Sequence, residues 1–251
     1  MSSGLEKQCM NCGQPLKGHF CYQCGQSANT HRFSVLGFLA HDVVHGIWHV
    51  DKGILFTIKE ILLRPGYAAR DYISGKRKAY FNLLSLAVLI IALTLLVSDK
   101  LETSSELVVT TNSGKRVDDL FVNNIKILLF SFLPIFACCN LLFFRKLRYN
   151  YAEHLVAATF FFNGFMLLIL LQKLLGLFID YNYLEWYWAN IAVEVAYLVF
   201  ACYQLARSCY TIAGTAWRAV ASIFLFSCFS LFLFICLFLA LDLQEFTFEF
   251  K

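Results

Sequence analysis

Four cysteines carry the most specific chemistry in the sequence. Cys9-Met-Asn-Cys12-Gly13 and Cys21-Tyr-Gln-Cys24-Gly25 are two C-x-x-C-G knuckles with eight residues between them. Two-residue spacing lets both thiolates of a knuckle reach one metal ion. The glycine after the second cysteine lets the backbone turn tightly, so that amides point at the sulfurs. Four thiolates in a tetrahedron suit Zn²⁺, which has no redox chemistry of its own, and they leave no open position for water. The expected role is therefore structural. A segment this short buries little apolar surface, so the metal would supply its folding energy. Two disulfides, which a cytosolic location disfavours, and a rubredoxin-like iron are the alternatives.

Three further groups of residues bear on chemistry. His41, His45 and His49 recur every four residues and share roughly one helical face, a spacing that suits either a second metal or an interfacial polar stripe. Lys52, Arg64, Lys76 and Arg77 punctuate a basic stretch next to Gly and Pro, and such residues at a membrane face bind lipid phosphates or act as a positive-inside signal. Glu153, His154 and Glu194 fall in or beside apolar runs. A carboxylate at mid-membrane costs roughly 2.5–3.5 kcal/mol on insertion scales, so it marks a proton or ion path unless it bonds across the bundle to a group such as Asn163 or Gln172.

The elements that must position these residues are mostly apolar. Hydrophobic residues make up 59% of the 251-residue chain and charged residues 15%, against about 25% charged in an ordinary soluble domain. The net charge of +4 is too small to indicate a nucleic-acid partner. Residues 1–32 are polar and lack a signal-peptide core. Residues 33–63 follow an amphipathic helical pattern: Leu36, Leu39, Val43, Ile47, Val50, Ile54, Ile58 and Ile61 lie on one face, with Lys59 and Glu60 among the polar residues opposite. The pattern predicts a helix in the interface or against the bundle, ended by Arg64-Pro65-Gly66. Five apolar segments follow, near 80–97, 124–144, 154–178, 186–206 and 217–241, each close to the ~20 residues that span a bilayer.

The expected architecture is thus an all-α integral membrane protein of about five transmembrane helices, preceded by an amphipathic helix and a small N-terminal zinc ribbon with four cysteine ligands. The units are a ribbon over 1–32, an amphipathic and basic segment over 33–78, and a transmembrane domain over 79–251. Basic and non-basic loops alternate, which puts the N-terminus in the cytosol and the C-terminus outside. The 101–119 loop, with Asn112-Ser113-Gly114, reads as a small external hairpin.

The ordered motifs Cys24-Gly25-Gln26, Asp51-Lys52-Gly53, Arg64-Pro65-Gly66, Tyr72-x-x-Gly75-Lys76-Arg77-x-x-Tyr80 and Tyr151-x-Glu153-His154-Leu155 resemble those of an uncharacterised bacterial family. Its members are membrane proteins with an N-terminal zinc ribbon and a Gly-Lys-Arg basic motif. The resemblance covers about residues 8–165. It implies an inner-membrane protein with a metal-bound cytosolic head, and it brings no activity. Phe81-Asn82 stands where the family often has Pro after the last Tyr.

Three functions follow as expectations. The first is a membrane protein whose ribbon is an interaction or regulatory module, docking a cytosolic protein partner or the chain's own basic segment. The second is a small, oligomeric transporter or channel using Glu194 and Glu153-His154. The third is a protein that binds or modifies anionic lipids. No nucleophile–base arrangement stands out, so the sequence favours a non-enzymatic role.

Overall fold

Pro65 divides the first helical stretch in two. Lacking an N–H and fixing its own φ, proline suits the first position of a helix and not its interior. The computed structural model, which describes residues 7–30, 32–35, 53–104, 133–176, 178 and 183–248, has α1 at Gly53–Leu63 and α2 at Pro65–Ile73. Arg64 between them has φ −139° and ψ 44°. The chain is all-helical among the described residues apart from the ribbon, where isolated bridges join Gln8 to Pro15 and Phe20 to Ser27.

Helix α3, Leu83–Ser104, starts three residues later than the apolar run. Asn82 explains this, because its Oδ1 accepts from the backbone N–H groups of Leu84 (3.0 Å) and Ser85 (2.9 Å) as an N-cap. Helix α4, Leu133–Phe143, ends in a 3₁₀ turn at Arg145–Leu147 and a left-handed Arg148 with φ 55°. Helices α5 (Tyr151–Gly176), α6 (Tyr183–Ala206) and α7 (Ile212–Phe248) complete the described chain.

Tyr151–Gly176, Trp186–Ala206 and Ile212–Leu233 are long and apolar enough to cross a membrane. The apolar parts of α3 (Leu83–Val97) and α4 are shorter. The rest of the expected 124–144 span lies outside the described residues, as do the histidine stripe, Lys52 and most of the 101–119 loop.

Helix α5 is the axis of the core. Every residue from Ala152 to Gly164 is buried, enclosed by α1, α2, α3 and α6. Asn163 donates to the Leu83 carbonyl at 3.0 Å, so α3 begins beside the middle of α5, a helix about 39 Å long. The first half of α5 is thus wrapped by α1 and α2, and α3 runs beside its second half. Two glycines permit this wrap. A Cβ on Gly66 would lie 2.3 Å from the Leu205 nitrogen and 2.4 Å from the Ala201 carbonyl oxygen, so only glycine lets α2 approach α6. A Cβ on Gly164 would fall 1.7 Å from the Tyr197 hydroxyl, which donates to the Ile61 carbonyl at 2.9 Å. Gln204 seals the α1–α2 break: its Oε1 accepts from Gly66 N–H (3.2 Å) and its Nε2 donates to the Leu63 carbonyl (3.3 Å).

Two sequence expectations are corrected. The amphipathic helix was expected from residue 33, but Arg32, Phe33 and Ser34 are not helical, and Phe33 is instead buried against Tyr72, with ring centroids 5.7 Å apart. Glu60, expected on the polar face, is buried with Thr57 and Ile61. It avoids the cost of an isolated buried charge by pairing with Arg64 at 3.3 Å.

Candidate metal centre and its dock

The two knuckles fold identically. Gly13 N–H donates to the Cys9 carbonyl and Gly25 N–H to the Cys21 carbonyl, both at 2.8 Å. Cys9 N–H donates to Gln14 and Cys21 N–H to Gln26, again at 2.8 Å. Gly13 and Gly25 have φ of 75° and 71°, the left-handed region that side chains disfavour. The sequence repeat thus produces a structural repeat, and the four sulfurs meet where its halves face each other.

All four ligand atoms lie within 4.8 Å of one another. Cys9 and Cys24 are 3.6 Å apart and Cys12 and Cys21 3.5 Å. These separations exceed the ~2.05 Å of a disulfide and approach the edge of about 3.8 Å that a tetrahedron of ~2.3 Å zinc–sulfur bonds requires. The donor set fits a divalent metal electrostatically as well. Backbone N–H groups of Cys24 and then Gln23 hold the Cys21 thiol below its ordinary range. Burial raises the Cys24 thiol, but the Asn11 side chain and the Gln26 N–H outweigh it and leave it at about 6. The Gln14 N–H favours ionised Cys12, yet desolvation and the thiols of Cys21, Cys24 and Cys9 push it up to about 12. Four thiolates this close repel one another unless a cation joins them.

The ribbon docks on the helices through Gln26, which is 5% exposed. Its Nε2 donates to the Gly75 carbonyl at 2.8 Å and its Oε1 accepts from Arg77 N–H at 3.3 Å. Gly75 has φ 108°, and a Cβ there would lie 2.8 Å from both Cβ and Sδ of Met10, the residue after the first ligand. The Arg77 guanidinium lies 3.6 Å over the Phe33 ring, and Phe33 stacks on Tyr72, which meets Phe160 of α5 edge-on at 5.4 Å. Tyr80 touches both Tyr72 and Phe160 at 5.6 Å. The Tyr-x-x-Gly-Lys-Arg-x-x-Tyr segment therefore forms the seat of the ribbon.

A second fastening follows the ribbon. Arg32 Nε donates to Glu153 Oε1 at 2.6 Å, and its Nη2 donates to Oε2 at 2.8 Å and to the Arg148 carbonyl at 2.9 Å. Asn150 donates from Nδ2 to the Phe33 carbonyl at 3.0 Å. Asn150 and Glu153 also exchange side-chain-to-backbone bonds, each 2.8 Å, and this reciprocal capping box starts α5.

The remaining sequence candidates do not form one site. Lys76 bonds Asp71 at 2.9 Å, Arg77 stacks on Phe33, and Arg64 turns to Glu60 and Tyr67. His154 is buried with neither ring nitrogen hydrogen-bonded, its ring edge-on to Tyr149 at 5.9 Å. Glu194 is half-buried on α6, and the helical rise, counted from the approach of Tyr197 to Gly164, puts it about 20 Å from Glu153 along the bundle. Asn163 bonds the Leu83 and Thr159 carbonyls. The sequence reading missed the roles of Gln26, Arg32 and Asn150. Asn150-x-x-Glu153 before an apolar run was a legible capping signal, whereas nothing local marks Gln26 or Arg32.

Residues 51–95 match a family described as a protein of unknown function (DUF3667). The match takes in α1, α2, the Gly75 turn and the start of α3, so it includes the ribbon's seat and not the ribbon. No curated protein and no solved structure matches the chain.

Proposed function

We propose that the chain is a polytopic protein of the bacterial inner membrane in which a zinc-bound cytosolic ribbon acts as a regulatory clamp in cis. The observation that carries this reading is the buried Gln26 amide, which pairs at both ends with the turn at Gly75–Arg77. A ribbon built to capture only another protein would have no need to bury a polar side chain against its own helices. The metal organises residues 9–26, and those residues hold the α2–α3 turn in place. The apolar runs at 80–97 and 124–144 join α5, α6 and α7 as five spans, and the alternation of basic loops supports a cytosolic ribbon. An ion path through Glu153 and His154 would require the Arg32 pair to open first, so the clamp would also gate it.

The purified full-length chain should carry one zinc per chain by elemental analysis. Cys9→Ser with Cys12→Ser should remove the metal and lower the melting temperature of the whole detergent-solubilised chain, while Cys228→Ser on α7 should do neither. A metal-free variant that melts like its parent would sink the clamp reading.

A further inference from the structure

Three guanidiniums converge on one tyrosine at the end of α6. Tyr67 lies in the first turn of α2, and its ring centroid is 5.4 Å from Cζ of Arg64, 5.9 Å from that of Arg70 and 5.7 Å from that of Arg207. Arg207 Nη1 also donates to the Tyr67 hydroxyl. Like charges gather this closely only where something compensates them. The aromatic face compensates part, as do the carbonyls of Gln204 and Leu205, to which Arg70 Nη2 donates. Among the described residues the carboxylate ion-paired with these three is Glu60, 3.3 Å from Arg64. Three guanidiniums against one carboxylate leave two positive charges in excess, and Arg64 and Arg207 are exposed.

We propose that Arg64, Arg70 and Arg207 form a binding site for a phosphate monoester dianion, with Tyr67 as the platform that spaces them. The planar guanidinium fork matches phosphate oxygens in pairs, and two excess charges match a dianion better than a diester. Arg207 directly follows the apolar helix Trp186–Ala206, the depth at which lipid headgroups meet a spanning helix. The site is separate from the metal centre and does not depend on the clamp. The chemistry is shared by a lipid phosphomonoester and free phosphate.

Native mass spectrometry of the full-length chain tests both sources, with phosphatidic acid, phosphatidylglycerol, phosphatidylcholine and inorganic phosphate as separate probes. Phosphatidic acid should be retained at least tenfold over phosphatidylcholine and above phosphatidylglycerol. Arg207→Gln and Arg64→Gln should each abolish the preference, while Arg145→Gln, an exposed charge elsewhere, should preserve it. Saturable retention of inorganic phosphate that Arg207→Gln abolishes, without lipid preference, would support the site with a soluble ligand. Tyr67→Phe keeps the platform and should keep most of the binding, which guards against a misfolded arginine variant. Equal retention of all probes, or a preference unchanged in both arginine variants, would overturn the proposal.

Discussion

Arg32 and Glu153 are 121 positions apart in the chain and face each other through two hydrogen bonds of 2.6 and 2.8 Å. Glu153 simultaneously caps its own helix through Asn150. One carboxylate thus starts α5 and ties the segment after the ribbon to it. Its side chain is 5% exposed while that of Arg32 is 62% exposed. The pair is therefore asymmetric, and removing the arginine strands a buried charge.

Arg32→Ala should accordingly lower the melting temperature, because the buried carboxylate keeps its charge and loses two charge-assisted hydrogen bonds. Glu153→Gln keeps a side chain able to complete the capping box and removes the charge. The double variant should be little worse than Arg32→Ala alone, because the stranded carboxylate is gone. Thermal unfolding of all three in one detergent measures this. Strictly additive losses would show that the two residues act independently.

The contrast between this pair and the cysteines explains what the sequence revealed. The knuckles are local: cysteines with two residues between them and a glycine at φ near 70° identify themselves in a short window. The Pro65 break and the apolar runs of α5, α6 and α7 are local as well. Arg32, Gln26 and Glu60 acquire their roles from partners brought by tertiary packing. Gln26 is an ordinary polar residue until Gly75 arrives, and Glu60 reads as solvent-facing until α1 is laid against α5. Periodicity identifies which face of a helix is apolar, and it is blind to a charge buried with its own partner four residues on. The motif Gly75-Lys76-Arg77 looked like one basic patch. Its three residues in fact divide between a close contact with Met10, an ion pair with Asp71 and a stack on Phe33.

Gly75 should tolerate no side chain. Gly75→Ala meets strain from its backbone, at φ 108°, and from Met10 at 2.8 Å, so a loss of about 1–3 kcal/mol is expected. Adding Met10→Gly, which removes both the Cβ and the Sδ that crowd the new side chain, should recover only the steric part. Protease sensitivity of the ribbon in both variants distinguishes them. Full recovery in the double variant would mean that the backbone conformation is unimportant there.

Gly66→Ala should be worse than Gly18→Ala by several kcal/mol. The first places a Cβ against backbone atoms of α6, which cannot move aside, and the second meets nothing within 4 Å. Yield of folded, monodisperse protein in detergent is the readout. Equal yields would contradict the close approach of α2 and α6.

Asn82→Ala should cost about 1 kcal/mol, because the N–H groups of Leu84 and Ser85 lose their acceptor. Asn82→Asp should retain most of the stability, since a carboxylate accepts the same bonds. A thermal melt in which alanine and aspartate behave alike would show that Asn82 does not cap α3.

Hydrogen–deuterium exchange of the full-length chain, with and without a zinc chelator, tests the clamp most directly. Stripping the metal should accelerate exchange over residues 7–30 and, together with it, over residues 72–80, where Arg77 N–H loses the Gln26 acceptor. The buried stretch Ala152–Gly164 should stay protected, and restoring zinc should reverse both changes. Loosening of 7–30 with no change at 72–80 would contradict the account, because the ribbon would then fold around its metal without holding the helices.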